Sequence, residues 1–485
     1  MRKNVFLCIA LTAVCCITSA QQKTVGQISI TTDIMPNAQQ KVTAHMQTEG
    51  YDGDIGIKLR GNSSLSFNQK KYTIELRDGQ GKEVEAPLFG MPAHSDWVLL
   101  APYSDVSSIR DPLAFHLWRG MGHWAPRTEM VELTLNGDYR GIYILSEAIK
   151  RGKERVDIAK LKKSDVEGRD LTGGYLLRID TYNEDDATFT SKVPGIGEGN
   201  MTSQVIWSCI YPKKKNLQPE QFDYIRNYVD TVEQVIQSDY FDDPEQGYAH
   251  YIDVSSFVDY FIHTELSLNA DGYKRSAYFY KEKQQADGTG GKLVAGPVWD
   301  YNLAFGNANF ANANNIEAWC FEGASNSPTP AMWQRLLQDP AFRKAVKVRY
   351  QALRKDILSN LAINAYIDSQ AKLLAPCTAR HFEKYPELLA GNSGGGFNPV
   401  SMFAAYRVSS YEEEIQILKA WLADRLDFLD RSIERFDKDW EPRIQELKEI
   451  KMPQFNGGFP FPFPQPFPQP FPHPFPHPFP FPFPQ

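Results

Sequence analysis

Cysteine is scarce in this chain, with six in 485 residues. Three of them, Cys8, Cys15 and Cys16, lie within the first twenty residues, which leaves Cys209, Cys320 and Cys377. So sparse and odd a set makes no disulfide framework and at most one bridge, and buried free thiols are the expectation. The histidines are scattered and share no ligand spacing with the cysteines, which argues against a zinc site. A basic excess is also missing. Without Arg2 and Lys3, 50 basic residues stand against 59 acidic ones, a net charge of −9. Nucleic-acid binding needs a basic face, so no nucleic-acid partner is expected. Beyond the first twenty residues no apolar run is long enough for a membrane helix, and no membrane span is expected.

What is present begins with a leader. Arg2 and Lys3 precede the apolar run "VFLCIALTAVCCI", and "TSA" before Gln21 suits a small-residue cleavage site, so residues 1–20 read as a signal peptide. The expected location is secreted or cell-surface. A lipid-anchored Cys15 is a weaker reading, because "LTAVC" lacks the usual leucine three places earlier. From about 25 to about 150 the chain is strand-like. "IGIKLRG" and "KKYTIEL" alternate apolar and polar residues, and "MVELTLNGDYRGIYIL" reads as a hairpin turning at Asn136-Gly137. "SDWVLLAPYSDVSSIRDPLAFHLWRGMG" holds a strand and then a helix that Ser107 or Ser108 can cap and Gly120 can end. From about 215 to 435 helices dominate, and "SAYFYKE" with "KLVAGPVWD" forms a short hairpin among them. The last of these helices opens with Ser410 and Glu413 at capping-box spacing. These elements predict an α+β fold.

Residues 451–485 differ in kind. From Phe459 a proline at nearly every second position removes backbone donors, so neither helix nor sheet can form and an extended, polyproline-like tail is expected. It is either a plain spacer or, because its phenylalanines are exposed, a docking tail for a surface partner.

Four stretches carry chemistry. In "RGNSSLSFNQKKYTIEL", Gly61 permits a tight turn, and Asn62, Ser63 and Ser64 supply donors suited to phosphate. Strand alternation puts Lys70 on one face with Tyr72, Ile74 and Leu76, and a charge there needs a partner: a phosphate, an acid, or solvent reached by snorkelling. Glu147, in "YRGIYILSEAIKRGKER", either pairs with Lys70, contacts a ligand, or is a solvated acid. Asp271, in "NADG", is a loop carboxylate that can take a proton from a hydroxyl, or part of an ordinary helix-ending turn. In "GPVWDYNLAFGN", Asp300 stands just past a strand end, where an acid can hold a metal ion over a phosphate.

This order of turn, strand lysine, helix, hairpin, helix-end acid and strand-end acid resembles a protein kinase, although no His-Arg-Asp or Asp-Phe-Gly occurs. More closely it resembles the spore coat protein H (CotH) kinase family, an atypical kinase-like group. The resemblance rests on "LRGNSS" with "KKYTIEL", "DWVLLAPYSDVSSIRDPLAF", "GDYRGIYILSEAIKR" with "RVDI", "GGYLLRID", "NADGYKRSAYFYK", "GPVWDYNLAFGN" and "AWLADRLDFLD", in order over residues 25–435. It implies a two-lobed domain within residues 21–450, with a strand-rich lobe to about 180 and a helix-rich lobe to about 435. It implies transfer of the ATP γ-phosphate to Ser or Thr of a protein substrate, with Mg2+ or Mn2+. Lys70 would contact phosphate, Asp271 would orient the acceptor hydroxyl, and Asp300 would hold metal, so these three should converge on one cleft. Two positions depart from the pattern. Ser276 stands where kinases usually have a metal-binding Asn, and Asn302 replaces the second acid of Asp-x-Asp. Both can still offer neutral oxygens to magnesium. The other reading open to such a sequence is a catalytically silent relative serving as a binding or surface-assembly module.

Overall fold

A computed structural model describes residues 23–390 and 404–436; the expected leader, residues 1–20, and the Phe/Pro-rich residues 451–485 lie outside these residues. The strand-like first part closes into a seven-stranded barrel: β1 (Gly26–Thr31), β2 (Val42–Thr48), β3 (Tyr51–Arg60), β4 (Lys71–Leu76), β5 (Asp96–Leu100), β6 (Thr128–Leu135) and β7 (Asp138–Glu147). Neighbours are antiparallel except β1 and β6, whose parallel pairing joins the first strand to the sixth and leaves no free edge. The alternation in β4 settles its orientation. Tyr72, Ile74 and Leu76 are buried in the barrel interior with Ile57, Leu99, Leu133 and Leu145, while Lys71, Thr73 and Glu75 face outward. The β6–β7 hairpin turns at Asn136-Gly137, both at positive φ, as its sequence requires.

Helix α1 (Arg110–Gly120) lies between β5 and β6. Neither Ser107 nor Ser108 caps it as expected: its N-cap is Ile109, which has no side chain to do so. Asp105 takes that part, accepting the amide hydrogens of Ser107 at 3.1 Å and Arg110 at 3.0 Å.

The short hairpin of the second half is not alone. The strands β8 (Tyr175–Ile179), β9 (Ala187–Thr190), β12 (Ile206–Tyr211), β13 (Ala277–Lys281) and β14 (Leu293–Ala295) make one five-stranded sheet in the order β14-β13-β8-β12-β9. Its long-range pairing of β8 with β13 has no local signal in the sequence. A small sheet joins β10 (Gly195–Ile196), β11 (Thr202–Ser203) and β15 (Thr329–Pro330). The remaining helices are α2 (Pro219–Gln237), α3 (Val254–Ser267), α4 (Ala331–Leu336), α5 (Pro340–Arg354), α6 (Asn360–Lys384) and α7 (Tyr411–Glu434). In α7, Ser410 caps as expected by accepting from the amide of Glu413. The fold is therefore mixed α+β. One apolar core runs through the five-stranded sheet, α1, α3, α5 and α7, and a second fills the barrel. No described helix is long and apolar enough to cross a membrane.

Candidate active site

The segment Val298–Phe305 is threaded between α1 and α3. Trp299 stacks on Phe115 of α1 with ring centroids 5.8 Å apart, and the Tyr301 hydroxyl meets Nδ1 of His263 of α3 at 3.1 Å. With its two neighbours held in the core, Asp300 projects between them and stays about one-third exposed. Its φ of +68° is a left-handed conformation that costs a non-glycine residue energy and is kept only where surroundings enforce it. Gly306 follows at φ +77°, and a Cβ there would fall 2.5 Å from the Trp421 ring of α7, so only glycine fits.

Asp271 lies on the loop after α3, which ends at Leu268 in the left-handed conformation. Asn269 organises this loop. Its Oδ1 accepts the Asp271 amide at 3.1 Å, and its Nδ2 faces the Asp300 carbonyl at 3.5 Å. Burial raises the Asp271 pKa, Arg275 and Lys274 oppose the rise, and the charges of Asp300 and Asp180 add to it. Asp271 and Asp300 are thus brought together, with Asp180 as a third acid nearby. Asp180 directly follows β8 and pairs with Arg178 at 3.4 Å. It is missed by the sequence reading, although an acid just past a strand end is the same signal that singled out Asp300.

The lysine at this site is Lys71. Its Nζ is 3.6 Å from Asp300 Oδ1, and its side chain is 12% exposed. Lys70 instead donates to the carbonyl of Leu65 at 2.6 Å, and burial lowers its pKa. The resemblance gave Lys70 the phosphate-contacting role and strand alternation gave it a face with Tyr72, but β4 begins at Lys71. Lys70 belongs to the loop before it, where alternation does not apply. Arg60, paired with Lys71 across β3 and β4, lies over the Trp299 ring at 5.2 Å. Burial lowers its pKa, and Tyr278 and Asp300 oppose that fall.

Other expected residues sit in different settings. Gly61 to Ser64 lead into a short 3-10 turn at Ser63–Ser66, stapled by Lys70 to Leu65. The space a Gly61 Cβ would need is taken by Ser64 Oγ, so this loop packs on itself. Glu147 is fully buried and serves the barrel. It accepts from Nε and a terminal nitrogen of Arg127, each at 3.0 Å, and lies 3.5 Å from Arg155, so it neither pairs with Lys70 nor is solvated. Ser276, at φ +47°, directly precedes β13; the β8–β13 register continued by one step sets it opposite Asp180. Asn302 donates from Nδ2 to Ser104 Oγ at 2.6 Å. Among the described residues no group of three or more His, Cys, Asp or Glu is arranged to hold a metal.

Comparison with known proteins bears on this geometry. The family described as CotH kinase protein matches residues 57–429. The inner spore coat protein H of Bacillus subtilis (strain 168) is 21% identical over 319 residues, which cover 65% of this chain and 74% of that protein. The crystal structure of the Helicobacter pylori proinflammatory kinase CtkA aligns at 10% identity with a TM-score of 0.29, over 75% of this chain and 95% of that one. A structural similarity of that size decides nothing by itself.

Proposed function

This chain belongs to the CotH kinase protein family, and from that premise we propose that it is an exported atypical kinase, with residues 1–20 as its signal peptide, that moves the ATP γ-phosphate to Ser or Thr of a surface or exported protein. The observation that carries this reading is the Lys71–Asp300 pair, with the Asp271 loop tied to the Asp300 backbone through Asn269. A cation, a strand-end acid and a helix-end acid are the three groups that phosphoryl transfer needs. In this reading the barrel is the first lobe, the helix-rich part is the second, and residues 451–485 are an appended tail.

The donor set fits a metal-nucleotide. Asp300 would offer a carboxylate to a cation, and Asn302 and Ser276 would be the sources of neutral oxygens, a sparse set that suits an ion that keeps several waters. Lys71, now held to Asp300, pairs with phosphate oxygens. Asp271 accepts the hydrogen bond of the acceptor hydroxyl and so points its oxygen at phosphorus; its raised pKa helps it to take the proton. Magnesium or manganese, when bound, supplies charge neutralisation of the phosphates.

The test is a radiolabel transfer assay with a melting-shift titration of ATP and either metal. Wild type should bind and transfer. Asp271→Asn should bind but lose transfer. Asn302→Asp should gain rate, because Ser104 can donate to the added carboxylate and keep it in place. The silent binding-module reading draws on the missing second acid and the lack of a three-ligand cluster among the described residues. No shift and no transfer with either metal would defeat the kinase reading and leave the binding-module one.

A further inference from the structure

The turn into α1 grips the Asp300 segment at two points. Arg110 is fully buried between Asp105 and Glu414, each 2.5 Å from its guanidinium, and its Nε donates to the carbonyl of Ala304 at 3.1 Å. The next residue, Asp111, is 4% exposed, and its Oδ1 accepts the amide hydrogen of Tyr301 at 2.6 Å. The segment from 300 to 304 is therefore held at its first amide by Asp111 and at its last carbonyl by Arg110. The amide that Asp111 takes belongs to the peptide bond leaving Asp300, the residue in the strained left-handed conformation.

The setting of Asp111 is poor for a group that acts by charge. It is buried beside Asp300, a like charge, and Lys71, Arg60 and the Tyr301 amide compensate only in part. Burial, with Asp300 adding to it, pushes its pKa up to about 7. What the position does provide is an oriented acceptor at the one peptide that sets the direction of Asp300. We propose that Asp111 is a positioning residue for Asp300, holding it in the left-handed conformation from which its carboxylate reaches Lys71 and a bound cation. This rests on the kinase reading for its consequence in rate, but not for its consequence in geometry.

The experiment compares Asp111→Asn, which keeps an acceptor of the same shape, with Asp111→Ala and with Asp111→Leu, which fills the volume without an acceptor. Transfer rate, ATP KM and the Mn2+ concentration for half-maximal rate are measured on each, and crystal structures of the Asn and Leu variants are determined. The Asn variant should stay within a few-fold of wild type. The Ala and Leu variants should lose about 10²-fold in rate, as for a reacting group displaced by about 1 Å. They should need more Mn2+ with little change in ATP KM, and Asp300 should leave its left-handed conformation in the Leu structure. An Asn variant as poor as Leu would show that charge is what matters and would overturn the proposal. So would unchanged rates in all variants, or a folded Asn variant beside Ala and Leu variants that fail to fold, which would make Asp111 a folding residue. If wild type transfers nothing, the kinase reading fails, and the crystal structures alone decide. Asp300 unmoved in the Leu variant then overturns the positioning role; Asp300 displaced there and retained in the Asn variant supports it.

Discussion

Lys70 and Lys71 are chemically identical neighbours, and only their backbone setting separates them. Lys70 spends its ammonium on the Leu65 carbonyl, inside its own loop. Lys71 opens β4, faces outward, and meets Asp300. In the transfer assay, Lys71→Met should therefore cost about 10²-fold or more, since it removes a charge aimed at phosphate. Lys70→Met should leave transfer within a few-fold and cost about 1 kcal/mol of stability, the worth of one hydrogen bond. The reverse ranking would return the phosphate-contacting role to Lys70.

At the scale of elements, α7 braces both sides of the site. Near its start Glu414 holds Arg110 of α1; midway Trp421 closes over Gly306; further on Arg425 donates to the Glu265 carbonyl of α3 at 2.6 Å and 3.0 Å. Glu265 in turn accepts from the hydroxyl of Tyr273 in the Asp271 loop at 2.9 Å. Arg110 is fully buried between Asp105 and Glu414, so removing Glu414 takes away one of the two carboxylates that balance its charge in the interior. Glu414→Ala should lower stability by about 3 kcal/mol in urea unfolding. On the same helix Asp427 and Arg431 make an exposed pair, and Asp427→Ala should leave the midpoint unchanged. Equal effects from the two would mean that α7 is not the brace described.

At the scale of the whole molecule, buried groups with opposite slopes contribute to stability between pH 4 and 7. Burial pushes Glu233 up to about 7 and Glu265 up to about 7, and pulls His263 and His381 down to about 4. As pH rises from 4.5 to 7 the unfolded chain releases the glutamate protons before the folded chain does, so these acids subtract stability going upward. The histidines act the other way: as pH falls from 6.5 to 4 the unfolded chain takes up protons that the folded chain refuses, and stability is lost going downward. Glu233 accepts from Ser191 Oγ at 2.6 Å and Trp207 Nε1 at 3.0 Å, contacts that a glutamine can keep by letting Ser191 accept. Glu233→Gln should therefore match wild type near pH 4 and exceed it by about 2–3 kcal/mol at pH 8. A constant difference at all pH values would show that Glu233 titrates normally.

The sequence by itself determined what depends on neighbours in the chain. Period-two alternation set the inward face of β4, Asn136-Gly137 set its hairpin, and Ser410 with Glu413 set the start of α7, because each is a local arrangement of backbone and side chain. The α+β class and the family followed from the order of such pieces. Asp271 and Asp300 stand out as candidates because loop acids at element ends are a local pattern. Tertiary structure decided the rest. Barrel closure pairs β1 with β6, and the second sheet pairs β8 with β13, across about a hundred residues of chain in each case, where alternation carries no information about partners. It also decided the charges. Glu147 became a barrel ion pair with Arg127, Lys71 rather than Lys70 reached Asp300, and Asp111 entered the site from a helix about 190 residues earlier in the chain. A charged side chain takes whichever partner the fold brings within a few ångströms, and that distance is set by packing, not by sequence spacing.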